Sequence, residues 1–148
     1  SRIGVIDPYF SVAPPDVDSV TLRSVAIDST FVMDSFLDYN HGVSVSDLIG
    51  AHGDNGKGMA GMTWRSHLFL YPLGESGEQS DNIFAALANR LLDAVSDQVG
   101  VLNISAGAGG FIGDSAQDSL TAFLYDTAVS YFVGHAGNRL LVIAAGDS

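Results

Sequence analysis

Ile3-Gly4-Val5-Ile6-Asp7 is a short apolar run closed by a carboxylate, with Pro8 directly behind it. An unbroken run of this length, bounded by a turn signal, reads as a strand buried on both faces. Two further stretches fall into line with it. His41-Gly42 opens a helix-like segment that continues to Ala51. Leu140-Leu141-Val142-Ile143-Ala144-Ala145 is a second apolar strand, ending in the small-residue turn Gly146-Asp147. An Asp and then a His, each at the mouth of a regular element, supply what a hydrolase needs to orient an imidazole and use it as a base.

The intervening segments alternate in type. Residues 12–18 carry two prolines and two acids and read as a loop. Residues 20–27 and 31–36 are β-branched and apolar, which predicts extended chain. Val43 to Ile49 reads as helix, 50–61 as a glycine-rich loop and His67 to Tyr71 as a strand. Ser80-Asp81 can cap a helix from Asn82 to Val95, with Ile83, Leu87, Leu91 and Val95 on one face. Val99 to Ile104 is a strand, and Ser105 to Gly113 a second glycine-rich loop. Asp118 to Gly134 is a helix with Leu120, Leu124, Ala128 and Tyr131 placed on one side. Strands separated by helices of this length predict βαβ units, hence a mainly parallel sheet with helices on both faces. Chemistry in such sheets gathers at the carboxyl ends of strands. Asp7, Ser105-Ala106-Gly107 and Gly146-Asp147 all stand at predicted strand ends.

Composition sets outer bounds. At 148 residues, one domain is expected, and 47% hydrophobic residues are enough to build a core. A net charge of −11 argues against nucleic-acid partners and anionic membrane surfaces. The absence of cysteine excludes disulfides, thiol catalysis and zinc–thiolate sites. No apolar run approaches the roughly 20 residues of a membrane span, and no signal peptide is visible in this chain.

Other motifs weigh less. Gly56-Lys57-Gly58-Met59-Ala60-Gly61 fits G-x-G-x-x-G, but that fingerprint must follow a strand and open a helix. Here a helix precedes it and a strand follows, so nucleotide binding is rejected. His52, His67 and His135 show no metal-ligand spacing with one another or with His41. Asp54-Asn55 has calcium-ligand chemistry but reads more simply as a solvated turn. Trp64 and Tyr71 read as packing residues, and Asp16, Asp18, Asp34 and Asp38 as solvated loop acids. Ser105-Ala106-Gly107 reads either as an ordinary strand-to-loop turn or as an exposed edge that pairs with a substrate backbone.

In order and context these segments resemble the subtilisin-like serine proteases, the subtilases. Gly4-Val5-Ile6-Asp7 is similar to the family's strand with the catalytic Asp. His41-Gly42-Val43-Ser44-Val45-Ser46-Asp47-Leu48-Ile49-Gly50-Ala51 resembles its His-Gly-Thr-His-Val-Ala-Gly helix, and 55–62 the glycine loop behind it. Val101-Leu102-Asn103-Ile104-Ser105-Ala106-Gly107 is similar to the strand that lines the substrate cleft. Val142-Ile143-Ala144-Ala145-Gly146-Asp147 is similar to the strand that ends on the oxyanion-stabilising Asn.

The resemblance implies a three-layer α/β fold, with residues 1–148 as an amino-terminal portion that is incomplete on its C-terminal side. It implies Asp7 as the orienting carboxylate, His41 as general base and acid, and Ser105, Ala106 and Gly107 as backbone for the bound peptide. The nucleophile is expected in a Gly-Thr-Ser context further along, and Ser148 comes too early to be it. The remainder of the domain then becomes a required partner, as the same or a second chain, beside a peptide or protein substrate. No cofactor is demanded, a structural calcium ion is compatible with the family, and a secreted or extracytoplasmic location is implied.

Four departures stand out. Pro8-Tyr9 follows the Asp where Thr or Ser and Gly are usual, Val43 replaces Thr, and Ser44 replaces the second His. Asp147 occupies the position of the amide donor. A carboxylate donates only when protonated, and loss of one such donor costs roughly 100- to 1,000-fold in turnover, a magnitude measured in this same family. Some family members carry Asp there and remain active. The chain is therefore expected to belong to a serine endopeptidase, with a non-catalytic peptide- or partner-binding domain as the alternative.

Overall fold

The structure is a computed structural model. It describes residues 1–8, 10, 13–23, 41–73, 83–106, 116–135 and 137–144, with backbone alone at 83 and 116–121. The expected segments at 24–36, the Ser80-Asp81 cap and most of the 105–113 loop lie outside the described residues. So do Asp34, Asp38, Gly107, Asp147 and Ser148.

Five strands form one parallel sheet: β1 (Arg2–Asp7), β2 (Val20–Leu22), β3 (His67–Pro72), β4 (Val101–Ile104) and β5 (Leu140–Ile143), in spatial order β2-β3-β1-β4-β5. Three helices are described: α1 (His41–Gly50), α2 (Ile83–Ser96) and α3 (Ala116–Gly134). The α/β class and the parallel sheet follow the sequence expectation, with element bounds shifted by one or two residues.

β1 lies in the middle. Ile6 pairs with Tyr71 on one side and with Ile104 on the other. Its alternation sorts the core into two layers. Ile3 and Val5 join Phe10, Leu68 and Leu70, and α1 closes this layer with Val45 and Ile49. Ile6 joins Phe69, Tyr71, Leu102 and Ile104 on the opposite face, under Leu87 and Leu91 of α2 and Ala128 and Phe132 of α3. Burying side chains such as Ile6 and Leu91 contributes about 1.5–3 kcal/mol each.

The third helix differs from its expected orientation. Leu124 and Tyr131 were placed on the packing side but are 45% and 43% exposed, whereas Phe132 is fully buried. The packed stripe runs through Tyr125, Ala128, Val129 and Phe132. Apolar residues surround this helix on nearly every side, so periodicity alone cannot set its rotation.

A polar cluster ties the α2–β4 turn to the sheet. Asp97 is 4% exposed. It accepts from the Tyr71 hydroxyl at 2.9 Å and from Arg23 Nε at 2.8 Å, with Arg23 Nη2 on its other oxygen. Gly4 makes this reach possible: a Cβ there would lie 2.5 Å from Leu102 Cδ1 and 3.0 Å from Tyr71 Cε2. Such a glycine inside a strand marks a close approach by a neighbour. Burial raises the Asp97 carboxyl, but the hydrogen bonds from Arg23 and Tyr71 outweigh it, and the net shift is below the usual carboxylate value. Tyr71 is pushed far up, first by burial and then by its bond to Asp97.

A depressed carboxylate stabilises the fold above its unfolded value, near 3.9, and loses that contribution as pH falls through the folded value. Asp97→Asn is expected to lower unfolding stability by about 1–3 kcal/mol at pH 7. Urea titrations of the full-length protein should show that gap closing below about pH 4. A gap unchanged down to pH 3 would contradict the assignment.

Candidate active site

Parallel βαβ architecture puts the carboxyl ends of β1 and β4 side by side, and α1 starts at the same end. Asp7 closes β1 and His41 is the first residue of α1. His41 Nδ1 lies 2.7 Å from Asp7 Oδ2. The carboxylate is fully buried, while half of the imidazole, 51%, remains exposed. A buried acceptor facing one ring nitrogen fixes the tautomer that carries the proton on Nδ1. This leaves Nε2 with a lone pair on the open side. The arrangement can withdraw a proton from a hydroxyl and balance the charge that then develops on the ring.

The local sequence holds this pair in place. The Asp7 carbonyl accepts from the Leu73 amide at 3.0 Å, which locks the strand tip to the end of β3. Arg90 of α2 binds the Pro72 carbonyl at 2.8 Å beside it. Within α1, Gly42 is buried, and buried Ser46 donates to its carbonyl at 2.7 Å. The far end of α1 is capped by the loop after it. Gly61 N donates to Ala51 O, Met62 N to Leu48 O and Thr63 N to Ile49 O at 2.9–3.0 Å, with the Thr63 hydroxyl also on Ile49 O. These contacts occupy carbonyls that a helix end leaves orphaned.

Ser105 and Ala106 follow β4 at this same edge. The Ser105 amide donates to Ile6 O at 3.0 Å, one residue before Asp7, and its hydroxyl accepts from Asn103 Nδ2 at 2.6 Å. Ala106 packs partly buried against the α2–α3 layer. The structure therefore brings Asp7, His41, Ser105 and Ala106 to one end of the sheet. Gly107 and Asp147, expected beside them, lie outside the described residues.

The other histidines have separate roles. His67 is held between Ser19 Oγ at 2.6 Å and Thr21 Oγ1 at 2.7 Å. His135 stacks on Tyr131 with ring centroids 4.2 Å apart. The Gly56–Gly61 loop has a helix before it and a strand after it, as the rejection of nucleotide binding supposed. Asn55 donates to Asp16 Oδ1 at 2.6 Å and accepts from the Lys57 amide at 3.0 Å. Asp16 is thus a docking point for this loop, not the solvated acid expected. Among the described residues, no three His, Cys, Asp or Glu side chains converge as a metal site. The Tyr71–Asp97–Arg23 cluster was missed by sequence reasoning, since its members lie 26 and 74 residues apart.

Comparison with known proteins follows the same lines. The sequence model of the subtilase family matches residues 22–148. Among curated proteins, none matches the chain. The fold is similar to a mutant of the protease domain of PatA (TM-score 0.64, 20% identity), covering 99% of this chain and 50% of that one. It is similar also to the prenylagaramide maturation protease PagA (TM-score 0.64, 18% identity, 99% and 46% covered). A third is MycP1 from Mycobacterium smegmatis (TM-score 0.61, 24% identity, 99% and 40% covered). The chain thus spans half or less of the length of these structures.

Gly61 offers a direct check on how the His41 helix is anchored. A Cβ there would lie 2.5 Å from Ala51 N, 2.8 Å from Asp47 O and 2.9 Å from Gly50 N, all backbone. Gly61→Ala is expected to cost about 1–3 kcal/mol, as overpacking does. Hydrogen exchange should speed up first at the Met62 and Thr63 amides. Unchanged exchange there would show that the cap does not hold the helix end.

Proposed function

This chain belongs to the subtilase family, and from that premise we propose that the protein carrying it is a serine endopeptidase in which Asp7 and His41 provide the base. The reading is carried by one observation, the 2.7 Å contact between His41 Nδ1 and a fully buried Asp7 carboxylate. A serine outside this chain is the nucleophile. Its hydroxyl proton passes to His41 Nε2 as the oxygen attacks the peptide carbonyl carbon. The imidazolium, balanced by Asp7, then protonates the leaving amine, and water repeats the sequence to release the acid. Ser105, Ala106 and Gly107 supply main chain for the bound peptide, and Asp147 stands at the oxyanion position. The chemistry needs no cofactor. A calcium ion, where present, is structural.

The substrate is a peptide or protein, with neither nucleic acid nor membrane as partner. Among the described residues, no helix is long and apolar enough to cross a membrane. An extracytoplasmic location rests on family resemblance.

Residues 1–148 act as the amino-terminal part of a larger peptidase domain. The apolar surface of α3 and β5 supports this: Phe123 is 65%, Val133 48%, Leu140 56% and Val142 46% exposed. Exposed apolar area on this scale marks an interface, and the rest of the domain is its natural cover. Asp147, a poor oxyanion donor, favours a second reading, in which the domain binds peptides without cleaving them.

A fluorophosphonate probe should label the full-length protein at a serine outside this chain. His41→Ala should abolish that labelling, and Asp7→Asn should lower turnover by roughly 10⁴-fold, as loss of the correct tautomer does elsewhere. A folded full-length protein that never labels would favour the binding domain instead. The isolated 148-residue chain should neither cleave peptides nor sediment as a clean monomer. Inhibitor-sensitive cleavage by the fragment, or monomeric behaviour in analytical ultracentrifugation, would count against the incomplete-domain reading.

A further inference from the structure

We propose that the cavity at the amino-terminal edge of the sheet, between the α2–β4 and α3–β5 turns, binds an organic carboxylate through Arg139. This end is opposite the one that carries Asp7 and His41. The cavity measures about 560 Å³, and its polar lining comes from Ser96, Gln98, His135, Asn138 and Arg139. Two left-handed residues shape its walls, Gln98 at φ 56° and Gly137 at φ 119°.

The guanidinium is poorly satisfied. Among the described residues, Nη1 is buried with no hydrogen-bond partner, and Nη2 reaches the Val95 carbonyl only at 3.5 Å. The group lies over the Phe132 ring, 5.3 Å from its centroid, a contact that uses none of its donors. Leaving a buried charged donor unmatched is costly, and native structures seldom do so without a reason. Elsewhere, Arg23 pairs with Asp97 and Arg90 with Asp93. Arg139, like Arg2, Lys57 and Arg65, makes no ion pair among the described residues, but of these four it is the one with a buried, unpartnered nitrogen. The chain has 17 acidic side chains to 6 basic ones. The cavity lining itself contains no Asp or Glu.

Arg139 therefore brings an uncompensated positive charge to the cavity wall, and its complement is an anion from outside these residues. A planar fork favours a planar oxyanion held by two parallel bonds. The neighbouring amides of Gln98 and Asn138 add donors. The volume falls in the range of organic ligands and far exceeds one inorganic ion. Val95 and Val99 contribute apolar wall beside the cation. Together these features select a carboxylate on an organic body.

Full-length protein would be titrated with benzoate, with its neutral isostere benzamide and with inorganic phosphate, following the side-chain amides of Gln98 and Asn138 by NMR. Benzoate should bind saturably and shift both amides, with benzamide weaker by roughly tenfold or more, the equivalent of about 1.4 kcal/mol. Arg139→Gln should weaken benzoate by a similar factor. Arg139→Lys should fall between the two, since it keeps the charge and loses the fork. If Arg139→Gln does not fold, exposed Asn138→Ala serves instead and should weaken benzoate measurably. Equal binding of benzoate and benzamide, unchanged affinity in the variants, or no saturable binding would each overturn the proposal. Phosphate bound more tightly than benzoate would overturn the carboxylate assignment.

Discussion

Everything in this fold is arranged around the pairing of β1 on both of its edges. Ile3 to Ile6 bond to β3 on one side and β4 on the other, and alternate side chains feed separate cores above and below. The stretch enclosed in this way, Ile3 to Ile6, has no exposed edge or face, so it must be apolar throughout and the next polar residue along the chain must fall where the sheet ends. That residue is Asp7. Its full burial follows from its place at the tip of the central strand, and burial makes the carboxylate a strong, fixed acceptor for an imidazole. The geometry of the Asp7–His41 pair depends on the position of one strand before it depends on any single side chain.

Much of this was legible in the sequence. An apolar run closed by Asp, a His-Gly helix start and strand-helix alternation are local signals, and each maps to an element observed within a residue or two. The pairing of residues 7 and 41 was expected from an Asp and a His at the mouths of regular elements and from the family order. Its physical basis is that a helix antiparallel to a parallel sheet begins where the strands end. What stayed hidden required knowledge of neighbours. The rotation of α3 could not be read because its apolar residues encircle it, and only packing into the core cluster that holds Leu91 and Ile104 decides that Phe132 faces inward while Leu124 does not. The Arg23–Asp97 pairing joins residues 74 positions apart, and no spacing rule predicts it. Asp16 looked like a solvated loop acid because nothing local shows that Asn55 will be folded back upon it.

The topology contains one further constraint. From β2 to β3, from β3 to β4 and from β4 to β5 the chain always steps in the same direction across the sheet. α2 and α3 make their crossovers on one face, and α1 makes its crossover on the other. Crossovers that step the same way on opposite faces have opposite hands. Right-handedness is close to universal for such units, so α1 is the exception. The reason lies in the second core. Among the described helices, α1 alone lies over the layer formed by Ile3, Val5, Leu68 and Leu70, and a parallel sheet does not tolerate an uncovered face. A right-handed path would have crowded α1 onto the face already covered by α2 and α3. The unusual hand closes the bare face and, in doing so, delivers His41 to the tip of β1. Covering the hydrophobic layer and assembling the Asp–His pair are thus consequences of the same placement of one ten-residue helix.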